Sequence, residues 1–275
     1  MGGGTQPVLA PLWDSSVPSA APNSVFHPMS MPTPFSVLSA SFGLCLLAAS
    51  CSSTSATVNS NAPISAYEMA VQTGNAYTLT LLRAGDPANL PKGEALRDLT
   101  HSHEDFLKAM FDESFLLTSG PFVAPRSDTS LRGVFFIDAA NPEDAHARTC
   151  EDPATRSGVF SMESMSFITE SDLRALPSLE RGFRIQRGND DVVARPYVMV
   201  TIPTSAAATA VVSRLGDVAI LHGDVVSGSM EGQTVCVLDC TTIGDAQAAL
   251  AKVTSMVDEF TYHPWVSSTS VAELD

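Results

Sequence analysis

Between residues 94 and 113, apolar side chains recur at Leu96, Leu99, Phe106, Leu107 and Met110. Steps of three and four predict a helix with one apolar face. A single polar residue, His103, interrupts that face. His101 lies two residues earlier, roughly 200° away around a 3.6-residue turn, which puts it on the polar side with Glu104 and Asp105. Elsewhere the pattern shortens to runs rich in β-branched and aromatic residues. "NAYTLTLLRAG" (75–85) and "RPYVMVTIPTS" (195–205) read as strands.

These runs recur in order. "GVFFIDAANPEDAHA" (133–147) lies over "TVCVLDCTTIGDAQA" (234–248) without a gap, matching Asp138 to Asp239 and Asp144 to Asp245. Each reads as strand, polar turn and helix start; Asn141 is the expected N-cap, with Pro142 at the first helical position. Second strands are expected at 116–123 and 217–226, holding the similar turns "SGPF" and "HGDV", and last strands at 158–168 and 258–268. Both halves then read β-α-β-β-α-β, the split βαβ pattern. The expected fold is α+β: tandem ferredoxin-like repeats at 75–168 and 195–270, joined by a linker at 169–194. Each repeat leaves one sheet face bare, so the two are expected to pack sheet to sheet as an intrachain α+β barrel. That makes the chain a monomeric pseudo-dimer, or the unit of a higher homo-oligomer.

Composition changes this picture at the N-terminus. Residues 1–63 carry one charged side chain, Asp14, among Ser, Pro, Ala and Thr, and such a segment cannot bury enough apolar surface to fold alone. Inside it, "FSVLSASFGLCLLAASC" (35–51) has the length of a signal-peptide core rather than a membrane span. The small residues Ala48, Ala49 and Ser50 before Cys51 resemble a bacterial lipobox, although Ala48 stands where Leu is more usual and no Lys or Arg precedes the run. Export from a start at Met29 or Met31, with a lipid anchor at Cys51 and a flexible tether over 52–61, is the expectation; a disordered apolar tail is the alternative. The location would be the bacterial periplasm or envelope.

Thirty Asp and Glu face fifteen Lys and Arg, a formal charge of -15. That balance repels nucleic-acid phosphates and anionic headgroups and weighs against a nucleic-acid partner. Cys150, Cys236 and Cys240 have no zinc-knuckle spacing and read as buried thiols. Met162 and Met165 read as core or pocket wall, Glu163 as a solvent-facing residue that could instead supply a second acid, and His222 and His263 as structural or exposed. The chain holds no P-loop, no dinucleotide fingerprint, no H-E-x-x-H and no nucleophile elbow. The imidazoles of "HSHED" diverge on a helix, so a shared metal ion is not expected.

A buried imidazole needs an acceptor or a carboxylate partner. The first repeat is similar to the YCII-related family of the dimeric α+β barrel superfamily. The likeness rests on His103 seventeen residues before the glycine of "LLTSGPF", the strand "LRGVFFID", the helix opening "PEDAHA" and the segment "EDPATRSGVF". In that family the helix histidine and the aspartate of the D-P pair are regarded as a catalytic dyad; the matching positions are His103 and Asp152. Asp152 also suits a plain helix N-cap before Pro153. The second repeat is a degenerate match, with Ala206 where the histidine would stand and no Asp-Pro.

The resemblance implies a small organic ligand in a pocket of the first repeat and lyase, isomerase or dehalogenase chemistry without a cofactor. His103 would move a proton, and Asp152 would fix its tautomer. The rival is a non-catalytic ligand-binding or structural envelope lipoprotein. A ring open to a cavity would favour chemistry, and a sealed ring would favour the rival.

Overall fold

The computed structural model describes residues 65–73, 75–189, 192–253, 257 and 259–274. The expected leader, including 35–51 and the Cys51 anchor, lies outside the described residues. An N-terminal helix that periodicity had not suggested, α1 (Ala66–Thr73), precedes β1 (Ala76–Ala84), α2 (Glu94–Asp112), β2 (Leu116–Pro121), β3 (Leu131–Ile137), α3 (Pro142–Thr149), the one-turn α4 (Pro153–Arg156) and β4 (Phe160–Ile168). A linking helix, α5 (Leu176–Arg187), leads to β5 (Ala194–Pro203), α6 (Ala206–Leu215), β6 (Ala219–Val225), β7 (Gln233–Leu238), α7 (Ile243–Leu250) and β8 (Thr261–Ser268).

The strands form one antiparallel eight-stranded sheet in the order β2-β3-β1-β4-β6-β7-β5-β8. Each half keeps the ferredoxin-like order, and the sheet curls until its outer strands meet. At that closure Phe122 bridges Trp265, and the Val123 amide donates to the Pro264 carbonyl at 2.9 Å. The other junction, β4 to β6, has two paired positions, Phe167 with Val225 and Ile168 with Asp224.

Glycine permits both closures. A side chain at Gly120 would place its Cβ 1.8 Å from the Val266 carbonyl oxygen, and one at Gly223 would place it 2.4 Å from that of Ile168. These are the glycines of "SGPF" and "HGDV". They are not turns, as the sequence had suggested; they sit inside β2 and β6 where the neighbouring backbone comes close.

Alternation sorts the side chains. Along β1, Tyr77, Leu79 and Leu81 point into the barrel, while Thr78, Thr80 and Leu82 point toward the helices, and all are buried. Inside, both halves contribute to one packed core: Phe136 meets Phe167 edge-on, and Trp265 contacts both Phe136 and Tyr197. Outside the second half, Val198, Val200 and Ile202 of β5 pack against Ala208, Val211 and Leu215 of α6. Cys236 and Cys240 join this layer as free, buried thiols, and burial pushes Cys236 up to about 12. Asn141 caps α3 as its position suggests, accepting from the Glu143 amide.

Candidate functional site

Helix α2 turns only two side chains fully inward, Met110 and His103. Its charged positions, and His101 with them, face outward as polar residues. That divide follows from the apolar stripe, and it leaves the His103 ring 1% exposed. Opposite it, Asp152 is 0% exposed and caps α4. The two meet directly: His103 Nδ1 lies 2.9 Å from Asp152 Oδ1.

Asp152 therefore does both things the sequence offered. Its Oδ1 also accepts from the Ala154 amide at 3.2 Å, and Oδ2 accepts from the Thr155 amide at 3.3 Å and the Thr155 hydroxyl at 3.0 Å. Burial pushes this carboxyl upward. The hydrogen bond and charge of His103, with the Ala154 amide and Thr155 hydroxyl, outweigh burial and hold it below the usual carboxylate range. A carboxylate that only accepts fixes the imidazole tautomer with its proton on Nδ1, leaving the Nε2 lone pair for other work.

That second nitrogen has no hydrogen-bond partner although it is buried. The edge-on ring of Phe160, 5.7 Å between centroids, supplies an apolar neighbour. Neither Phe160 nor Thr155 stood out in the sequence. Thr155 had a local signal, since it sits at the third position of a helix that Asp152 caps. Phe160 had none, because its approach to His103 depends on how α2 crosses the sheet.

Two shallow depressions, of about 340 and 380 Å³, lie elsewhere. One is lined by α5 and the other by α1 with Ala140 and Asn141, and neither includes His103 or Asp152. The pair is thus assembled beneath α2 and sealed. The matching layer of the second half is aliphatic, with α6 presenting Ala208, Val211, Val212 and Leu215 to its sheet.

The other candidates are dispersed. Glu163 is half-buried, accepts from Arg83 at 3.1 Å and from the Ser229 amide at 3.2 Å, and so ties the two halves together. Met165 fills the barrel and Met162 its helix-facing side. His263 is buried beside Phe122 with Ser127 Oγ 3.3 Å from its Nδ1, and His222 is partly exposed. Among the described residues no cluster of three or more His, Cys, Asp or Glu is gathered as a metal ion would require.

No family model matches the chain, and no curated protein is similar to it. Three solved structures are similar at low scores. The siroheme decarboxylase NirDL is 10% identical over 72% of this chain and 72% of its own, with a TM-score of 0.38. A protein provisionally described as a monooxygenase from Lactobacillus acidophilus NCFM is 8% identical over 71% and 95%, with a TM-score of 0.41. An anthrone oxidase-like protein is 11% identical over 70% and 91%, with a TM-score of 0.36.

Proposed function

We propose that the first half is a cofactor-independent acid/base site for a small organic molecule, with His103 Nε2 as the working atom. The observation that carries this reading is the unequal treatment of the two ring nitrogens. Nδ1 is oriented by a buried carboxylate while Nε2, equally buried, is left without a partner. An unsatisfied buried polar atom costs about 1–3 kcal/mol, and a histidine kept for packing alone would be expected to satisfy both nitrogens. Nε2 would accept a proton from a bound substrate and return it. Asp152 would stabilise the imidazolium formed between those steps without being protonated itself. Substrate entry requires α2 to lift from Phe160, since the resting ring is closed to solvent.

The YCII resemblance supplies the reaction class: lyase, isomerase or dehalogenase chemistry on a small cyclic or aromatic compound. Export, and anchoring through Cys51, belong to the same proposal and rest on the leader alone. The test is turnover of a panel of lactones and halogenated phenols by the full chain and by His103→Gln. Turnover that falls at least about a hundredfold in the variant, within the usual range for a lost acid/base group, supports the reading. Equal rates in both chains overturn it.

The sealed ring favours a second reading, in which His103 and Asp152 pin α2 to α4 within a non-catalytic scaffold. Under it, His103→Gln changes unfolding and nothing else.

A further inference from the structure

Helix α2 is held unevenly along its length. Its second half has several anchors. Met110 is fully buried, and the Arg148 guanidinium of α3 lies 5.5 Å from the centre of the Phe106 ring while pairing with Glu113, the C-cap, at 3.1 Å. From the other side, Arg181 and Arg184 of α5 stand 5.9 and 5.0 Å from the centre of the Phe111 ring.

The first half lacks such ties. Among the described residues, no side chain from 94 to 102 makes a hydrogen bond or ion pair to another element; Thr100 and Ser102 only bond back to the Leu96 and Asp98 carbonyls of their own helix, both at 2.8 Å. Leu96 and Leu99, the apolar residues of this half with inward spacing, are only half-buried. The helix also starts poorly, because Gly93 at φ 61° offers no side chain to cap the first amides.

Local sequence points the same way. Thr100, His101, Ser102 and His103 are four consecutive weak helix formers, whereas Leu107, Lys108, Ala109 and Met110 are strong ones. Hydroxyls that bond back along a helix weaken it slightly further. What fastens the first half is therefore one polar tie, the 2.9 Å contact of His103 with Asp152, placed at its inner end.

We propose that residues 94–103 are a lid that unwinds while 106–113 stays docked, with the His103–Asp152 bond as its latch. The purpose of the lid rests on the acid/base reading of His103: substrate enters beside Phe160 while the lid is open, and reclosing returns Nδ1 to Asp152 with Nε2 against the substrate. The opening itself does not depend on that reading. Local openings of this kind are drawn from the least anchored parts of a fold, and the few residues that absorb them lie at element ends. Here residues 90–93 serve, since the chain just before them is fixed by the Asn89 amide, which donates to the Gly158 carbonyl at 3.3 Å.

The test is amide exchange of the full-length chain, followed by mass spectrometry at neutral pH in rising urea below the unfolding transition. Amides of 98–103 are expected to exchange at least about tenfold faster than those of 107–112. Their rates should hardly respond to urea, because a small opening exposes little surface, while those of 107–112 should respond steeply. Asp152→Asn loosens the latch and is expected to quicken 98–103 by about tenfold. Arg148→Met removes an anchor that survives lid opening, so it should quicken 107–112 and leave 98–103 as they were.

Exchange of both segments together, with one urea dependence, would overturn the lid; so would faster exchange at 107–112. Unchanged exchange of 98–103 in Asp152→Asn would overturn the latch. None of these readouts is turnover, so equal turnover by the parent and His103→Gln sinks the acid/base reading alone, and joint exchange sinks the lid alone.

Discussion

Replacing Asp152 by alanine removes four accepted hydrogen bonds at once, from His103 Nδ1, the Ala154 amide, the Thr155 amide and the Thr155 hydroxyl. Losing the N-cap costs about 1 kcal/mol. Stranding a second buried nitrogen on His103 costs about 1–3 kcal/mol, and the Thr155 amide and hydroxyl lose the same acceptor at about 1 kcal/mol each. These overlap, so the expected loss is about 4 kcal/mol, a large share of the roughly 5–15 kcal/mol that holds a domain together. For a domain of this size that corresponds to a fall in Tm of about 8–16 °C.

Asp152→Asn keeps a carbonyl to cap α4 and should cost less, about 1–2 kcal/mol. The sign of the pH effect follows from the lowered carboxyl. A group whose folded value is depressed stabilises fully above its unfolded value, near 3.9, and loses that contribution as pH falls through the folded value. The gap between the native chain and Asp152→Asn should therefore be widest near pH 6 and narrow below about pH 4. Urea denaturation followed by circular dichroism across that range is the assay. An Asp152→Ala chain within about 1 kcal/mol of the parent would refute the reasoning, because no buried carboxylate with four donors can be lost so cheaply.

Alanine at Gly120 or Gly223 should destabilise by about 3 kcal/mol, since the new carbon meets a backbone oxygen that cannot swing aside; a midpoint unchanged in denaturant would contradict the close approach. In a chain with Cys45 and Cys51 changed to serine, Ellman's reagent should titrate Cys150 slowly in the native state, and Cys236 and Cys240 only after unfolding. Asn141→Ala should cost about 1 kcal/mol through loss of its bond from the Glu143 amide, read as a shift in Tm.

The halves of the fold were legible because strand alternation and helix steps are local, and the gapless match of 133–147 to 234–248 repeated them in order. His103 was legible for the same reason: one imidazole in an otherwise apolar stripe has to find a partner. The two glycines were misread, since a strand glycine and a turn glycine look alike until the neighbouring strand is placed, and those neighbours come from the opposite half. Their matched positions were the available signal. The closure over Nε2 could not be read at all, because it depends on the angle at which α2 crosses β4, and no residue spacing encodes that angle.

Joining β2 to β8 links Phe122 to Trp265, and so the second strand of the chain to the last. While the chain is being synthesised, the rim of β2 stays open until the last strand emerges, and a bare strand rim invites pairing with other chains. Contacts this distant in sequence also form slowly. The interval before β8 arrives is thus the time of greatest risk of aggregation, and a chain crossing a membrane unfolded would pass through that interval only after delivery.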